Sequence, residues 1–313
     1  MGKAERIRRM NARERIAAQQ AAAKRAEARR RMFLAGGSVL VVLAVVIVLI
    51  VVKSLGGSST PAAATSGHTA SAADTAAVTN AITSVPASTL NEVGAGSGVS
   101  KLTPTSGQPL LTSGGKPELL YVGAEYCPYC AAERWALAVA LSRFGTFSGL
   151  HLIHSTGSDI YSNTSTLSFY KSTYTSKYLV FTPVEWFGLV DNGVQLQKRT
   201  PQEAALMSKY DAPPYVESAE AGSYPFIDIG NQYVDIGAQY LPSNLGSPET
   251  IDASHYGLTW TQIAADLKNP NSTVAQGIDG AANSITAAIC KIDKNAPASV
   301  CSSTAAQAGS GGL

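Results

Sequence analysis

The sequence predicts a mixed α/β domain carried behind one membrane-spanning helix. Three observations predict it. Residues 33–52 are 20 consecutive uncharged residues dominated by Val, Leu and Ile, long enough to cross the hydrocarbon core of a bilayer as a helix. Within residues 101–301, short apolar runs of strand length alternate with longer helical stretches, a mixture that builds a sheet with helices against it. On either side of that region, residues 53–100 and 302–313 are small, polar and almost uncharged, and read as a flexible linker and a disordered tail.

The formal charge of the 313 residues is only +2, which conceals an asymmetry. Residues 1–32 hold 11 Lys or Arg and 3 Asp or Glu, a net of +8, leaving −6 for the rest. Such a basic segment can bind nucleic acid, but the apolar run behind it explains the charge better, so no nucleic-acid partner is expected. Arg29, Arg30 and Arg31 place residues 1–32 in the cytoplasm by the positive-inside rule, and everything after Lys53 outside it. The competing reading of 33–52 is a cleaved export signal, since Arg30-Arg31-Met32-Phe33-Leu34 resembles the start of a twin-arginine signal. Retention as an anchor is the expectation. The run is longer than a signal core, and the best cleavage candidate, Ala62-Ala63-Ala64, lies far downstream. Both readings put the domain on the same side of the membrane, and the bilayer is an expected partner.

In the linker, only a weak helix near 76–83 is expected. Within 101–301 the pattern predicts a strand at 119–122, a helix over 131–144 and a second strand at 150–154. The polar and aromatic stretch 162–175 supports no assignment. Residues 178–181 and 185–188 read as extended and separated by Thr182-Pro183, and a helix follows at 201–209. Residues 224–229 and 232–235 have the form of two strands joined by a Gly230-Asn231 turn. Helices over 260–267 and 274–289 close the domain.

The domain is organised around Leu119-Leu120-Tyr121-Val122-Gly123-Ala124-Glu125-Tyr126-Cys127-Pro128-Tyr129-Cys130. It is a strand running into a Cys-x-x-Cys at the start of a helix. At a helix N-terminus the first cysteine meets unpaired backbone N–H groups and the positive end of the macrodipole, which stabilise its thiolate. The second lies one turn on, close enough to close a small disulfide ring. Pro128 suits the first turn, where its missing N–H costs nothing.

Ala124-Glu125-Tyr126-Cys127-Pro128-Tyr129-Cys130 resembles the active-site segment of thioredoxin-fold proteins, and the tetrad Cys-Pro-Tyr-Cys is similar to that of glutaredoxins. Further on, Tyr224-Pro225-Phe226-Ile227-Asp228-Ile229-Gly230-Asn231 resembles the second signature of that superfamily, a cis-proline entering a hairpin strand. The spacing between the two resembles that of members with an inserted helical segment. The basic start, single anchor and small-residue tether resemble a family of membrane-anchored, thioredoxin-like prokaryotic proteins. The resemblance implies a thioredoxin-like α/β fold with a helical insertion over 101–301. It implies that Cys127 is the attacking thiol, Cys130 the resolving thiol and Pro225 the cis-proline, with Tyr224 lining a substrate groove. One departure stands out. Thioredoxins carry a buried acid on the strand where this chain has Tyr121, which weighs against a dedicated reductase unless Glu125 or a residue elsewhere substitutes.

Several features have plainer readings. Cys127 and Cys130 could be a structural or metal-binding pair, but zinc wants four ligands and the chain holds no second Cys-x-x-Cys. Cys290 and Cys301 read as a structural disulfide clamping the last helix, worth about 3 kcal/mol of loop-closure entropy, with a second dithiol that relays electrons as the alternative. His151 and His154 sit at an offset that sends them to opposite faces of a strand, so no metal site is expected, and no cofactor. Tyr161, Phe169, Tyr170, Tyr174, Tyr178 and Trp186 read as core or core edge, or as the lining of a peptide groove. The function expected is a membrane-anchored, extracytoplasmic thiol–disulfide oxidoreductase, an oxidase or isomerase rather than a reductase. Its partners are cysteine-containing protein substrates and a membrane redox partner. The alternatives are a reductase fed by a membrane electron donor and a tethered binding module without turnover.

Overall fold

The computed structural model describes residues 70–189, 194–251 and 254–313. The basic segment 1–32, the apolar run 33–52 and the beginning of the expected linker lie outside the described residues. Among the described residues no helix is long and apolar enough to cross a membrane.

In chain order, helices α1 (Ala72–Thr83) and α2 (Ala87–Val93) precede the short strands β1 (Thr103–Pro104) and β2 (Thr112–Ser113). Then come the long strand β3 (Lys116–Ala124), helix α3 (Pro128–Ser142) and four short strands, β4 (Gly145–Ser148), β5 (His151–His154), β6 (Ser165–Ser168) and β7 (Thr173–Ser176). Strand β8 (Val180–Phe187) and helix α4 (Pro201–Tyr210) lead to the hairpin β9 (Phe226–Ile229) and β10 (Tyr233–Ile236). Helices α5 (Trp260–Asp266), α6 (Thr273–Ile292), α7 (Ala298–Cys301) and α8 (Thr304–Gly309) complete the fold.

The sheet is mixed and is built on β3. Strand β8 pairs with it in parallel, from Glu118 opposite Val180 onward. On its other side β9 pairs antiparallel, with Leu119 opposite Ile229 and Val122 opposite Phe226. Strand β10 extends the sheet beyond β9 and β1 beyond β10, while β2 folds back on the first two residues of β3. Residues 119–124 of β3 are all buried, as a continuous apolar run requires when both faces of a strand are covered. Strand β8 runs unbroken through Thr182-Pro183, where the sequence pattern separates two extended pieces. At Pro183 its one strand partner among the described residues is β3, and only its far end bridges Gln195, so the missing N–H of Pro183 falls on an edge position. Gly230 and Asn231 have φ of 68° and 58°, both left-handed, within the connection 230–232 that follows the Ile229–Tyr233 pair.

Helix α3 is buried on nearly every side, from Pro128 to Leu141 with Tyr129 as the exception, because it packs along α6 and is covered elsewhere by the β5–β6 hairpin. Trp135 Nε1 donates to Ser165 O at 3.0 Å and Thr166 Oγ1 donates to Ala131 O at 2.7 Å, which fixes that hairpin to the helix. The stretch 162–175 that resisted assignment thus supplies β6 and β7.

Two expectations are corrected. The flexible linker does not reach residue 100. Val78, Ile82 and Leu90 of α1 and α2 belong to the main core. Ser71 caps α1 in a reciprocal box, accepting from Asp74 N at 3.1 Å while its own N donates to Asp74 Oδ2 at 3.0 Å. Asn283 Nδ2 of α6 donates to Leu90 O and Gly94 O at 2.9 and 2.8 Å, satisfying carbonyls at the end of α2. The disordered tail is corrected too. Residues 302–313 include α8, whose Ala305 and Ala306 are buried, and Leu102 N donates to Gly312 O at 2.8 Å. The physical reason is the same at both ends. Alanine and serine give no apolar periodicity to read, yet small side chains are what let helices lie close against one another.

The interior also holds carboxyls. Asp279 on α6 is fully buried and neither of its oxygens has a hydrogen-bond partner in the protein. Burial pushes its carboxyl up to about 8, with Arg143 opposing. Glu133 and Asp235 are raised in the same direction, mainly by burial and, for Glu133, by the neighbouring Asp235 charge.

These groups predict a pH dependence. An unfolded Asp releases its proton near 3.9, whereas folded Asp279 keeps it to about 8. Between those values the folded state binds more protons, so stability falls as pH rises from about 4 to about 8 and then levels off. The urea midpoint of the full chain is therefore higher at pH 5 than at pH 8, and Asp279→Asn reduces the difference. Separately, Ile82→Ala destabilises by about 2–5 kcal/mol, as for a core isoleucine. A change within about 0.5 kcal/mol would return residues 72–93 to the status of a linker.

Candidate active site

Cys127 is the N-cap of α3, with Pro128 in the first turn. Its own N donates to Ala124 O at 3.2 Å, and its Sγ accepts from Cys130 N at 3.2 Å. The sulfur therefore takes the place of the side-chain oxygen that usually satisfies an orphan N–H at a helix start. Both cysteines are unbridged, Cys127 at 7% exposure and Cys130 at 0%. The Tyr129 ring meets Tyr161 edge-on at 5.8 Å.

The two thiols are not equivalent. For Cys127, burial works against the thiolate, but hydrogen bonds from the Cys130 thiol and backbone, with the Arg134 charge, outweigh it and hold its pKa below the ordinary thiol value. For Cys130, burial and then the hydrogen bond and charge of Cys127 push the thiol well up, against the pull of Arg134. The two thiols are thus shifted in opposite directions, Cys127 towards easier ionisation and Cys130 away from it.

Across from them, the Tyr224–Pro225 peptide bond is cis. Tyr224 O accepts from Cys127 Sγ at 3.8 Å, so the backbone just before β9 lies against the Cys127 sulfur. Pro225 O accepts from Gly237 N at 2.8 Å, which ties that backbone to the end of β10. Beside it stands an aromatic rim. Trp186 stacks on Phe187 at 4.6 Å and meets Tyr224 edge-on at 5.9 Å, while the Arg199 guanidinium lies 3.4 Å from the centroid of a Trp186 ring. Cys127, Pro128, Tyr129, Cys130, Tyr224 and Pro225 thus come together in one place. Of the other aromatics, Phe169 is core, packed at 5.0–5.7 Å from Phe147 and Phe181.

Cys290 and Cys301 are joined to each other, S–S 1.94 Å and Cα–Cα 5.5 Å, linking α6 to α7. Cys290 packs in the main core, apart from the small cluster of Ala124, Cys127 and Cys130. His151 Nε2 lies 3.7 Å from Glu125 Oε1, and His154 meets Trp260 at 4.2 Å with the rings tilted by 41°. Among the described residues no group of three or more His, Cys, Asp or Glu is placed to hold a metal ion.

Sequence reasoning missed the charges around the dithiol. Arg134 and Glu185 are completely buried and form a two-pronged ion pair, Nε to Oε1 and Nη2 to Oε2, both at 2.8 Å. Nη2 also donates to Ala124 O at 2.7 Å. The visible signals were a charged dipeptide, Glu133-Arg134, inside an apolar helix and a lone Glu185 in an apolar strand. Glu125, the acid that could substitute for the one missing at Tyr121, is buried. Burial opposes its ionisation, but hydrogen bonds from His151 and Ser168, with Arg134 nearby, bring its pKa below the usual carboxylate value. Tyr121 is fully buried on β3, and its hydroxyl has no hydrogen-bond partner in the protein. Its ring lies along Gly123, where an added Cβ would fall 2.1 Å from the Tyr121 hydroxyl. A glycine two residues on is thus what makes room for the phenol.

No curated protein and no solved structure matches the chain. Residues 104–291 match the family described as a domain of unknown function, DUF929. That span contains β3, the cysteine pair, the Arg134–Glu185 pair and the cis-proline hairpin, and it covers more than half of the chain. The protein therefore belongs to the DUF929 family.

Proposed function

We propose that the domain is thioredoxin-like and that the protein is a thiol–disulfide oxidoreductase, held at the outer face of a membrane by residues 33–52. The observation that carries the reading is the contact between the two signatures. A dithiol at a helix N-terminus, with thiols pushed in opposite directions, lies against a backbone turn opened by a cis-proline. The order of elements supports it as well. A strand, the Cys-x-x-Cys helix and a parallel strand are followed by a cis-proline, an antiparallel hairpin and a helix packed on the first. The Cys290–Cys301 disulfide supports an oxidising, extracytoplasmic address.

In the disulfide form, a substrate thiolate attacks Cys127 Sγ, the Cys127–Cys130 bond breaks, and Cys130 leaves as a thiolate that takes up a proton. A second substrate thiolate then attacks the substrate sulfur of the mixed disulfide and releases Cys127. Two electrons pass from substrate to dithiol, and a membrane redox partner restores the disulfide by the same exchange. With Tyr121 in place of the buried acid, oxidation or isomerisation of secreted and membrane proteins is the favoured direction.

The test uses the full chain in detergent. Cys130→Ser accumulates covalent mixed disulfides through Cys127, released by reductant, because the resolving thiol is missing. Cys127→Ser accumulates none and lowers the exchange rate by orders of magnitude. Partners retained only non-covalently by Cys130→Ser, with no reversible couple in the wild type, would instead identify a binding module.

A further inference from the structure

The thiol pair sits one helical turn from a buried cation whose hydrogen-bonding capacity its neighbours do not exhaust. Arg134 follows Cys130 by four residues, one helical turn, and is completely buried. Two of its three guanidinium nitrogens are occupied, by Glu185 and by Ala124 O; Nη1 has no hydrogen-bond partner in the protein. The anion is better served. Glu185 Oε1 accepts from Arg134 and also from Phe169 N at 3.3 Å. The carbonyl of Ala124 accepts from both Arg134 Nη2 at 2.7 Å and Cys127 N at 3.2 Å, so one atom links the cation to the backbone of the attacking cysteine. Nothing in a solely structural clamp calls for a spare buried donor next to two sulfurs.

We propose that Arg134 is the positioning residue that sets the redox poise of the pair: its buried guanidinium, paired with Glu185 but with one nitrogen's donors unspent, favours the thiolate of Cys127, stabilises the reduced state, and so makes the disulfide an oxidant of protein thiols. The inference rests on the exchange reading above and assigns its direction. The balance is that of thiol–disulfide exchange. Two substrate thiols lose two electrons and two protons, the Cys127–Cys130 bond is broken, and the pair carries one thiolate and one thiol, with the second proton released to solvent. A more stable thiolate is also the better leaving group when the mixed disulfide resolves. The depressed Cys127 and raised Cys130 titrations agree with this placement of charge.

The experiment measures two quantities on the full chain in detergent: the pH midpoint of Cys127 alkylation in the reduced intact pair, and the equilibrium of that pair with glutathione. The wild-type midpoint lies below the free-thiol value of about 8.5. Glu185→Gln leaves the guanidinium unanswered and lowers the midpoint further, by about one pH unit. The neutral pair Arg134→Gln/Glu185→Gln raises it by about one unit and shifts the glutathione equilibrium about tenfold towards the disulfide, about 30 mV. A wild-type midpoint at or above about 8.5 overturns the proposal, and that measurement requires neither charge variant to fold. So does an unchanged midpoint in folded variants that have only lost thermal stability, which is what a structural clamp would give. A wild type with no reversible couple at all defeats the oxidoreductase reading itself, whereas a normal couple indifferent to Arg134 defeats only this inference.

Discussion

The buried fork between Arg134 and Glu185 is the constraint around which the site is arranged. Two full charges are held at 0% exposure, where desolvation is expensive and is offset only by close geometry and additional hydrogen bonds. Both conditions are met. The pair is two-pronged, Arg134 reaches the Ala124 carbonyl, and Glu185 accepts from Phe169 N. Because Arg134 is on α3 and Glu185 on β8, the fork can close only when the helix, the parallel strand and the end of β3 are all in register. Removing one partner from such a pair typically costs about 3–5 kcal/mol, since it strands the other charge. The same contact that ties the helix to the sheet leaves a cation next to two sulfurs.

That arrangement explains how two cysteines three residues apart acquire opposite character. Both are buried, so desolvation raises both. At the N-cap, Cys127 receives the Cys130 amide and thiol and feels Arg134, and these outweigh burial. Cys130 lies inside the first turn, where the neighbouring Cys127 sulfur adds to the penalty of burial. The difference comes from position along one helical turn rather than from the chemistry of the residues. Charge placed this way makes one sulfur easier to ionise than the other, the asymmetry that the proposed exchange through a mixed disulfide would use.

The chain also shows how composition misleads at the margins of a domain. Residues 72–93 and 304–309 consist largely of Ala, Ser, Thr and Asn, a composition shared with flexible tethers. Their stability comes from specific local devices and from a surface to lean on. Ser71 and Asp74 close a capping box, Val78 and Ile82 sit four apart on one face, and Asn283 and Asn91 satisfy backbone groups of the neighbouring helices. The capping box and the Val78–Ile82 pair were legible in sequence. The asparagine contacts were not, because their partners lie about 190 and 210 residues away along the chain.

By itself the sequence determined the local matters. It set the run of β3 into an N-terminal helical turn carrying Cys127 and Cys130, the Gly230-Asn231 hairpin, and most of the helices after residue 200. Each of these is written in neighbouring residues, through apolar period, turn chemistry or the preference of proline for a first turn. It also marked Tyr224-Pro225 as special, by resemblance. Only the tertiary structure brought Tyr224 to the sulfur of Cys127, paired Arg134 with Glu185, kept β8 continuous through Pro183 and drew the alanine-rich ends into the core. Those outcomes depend on residues distant in sequence meeting at short range, where desolvation and hydrogen-bond geometry decide, and no window of neighbouring residues contains that information.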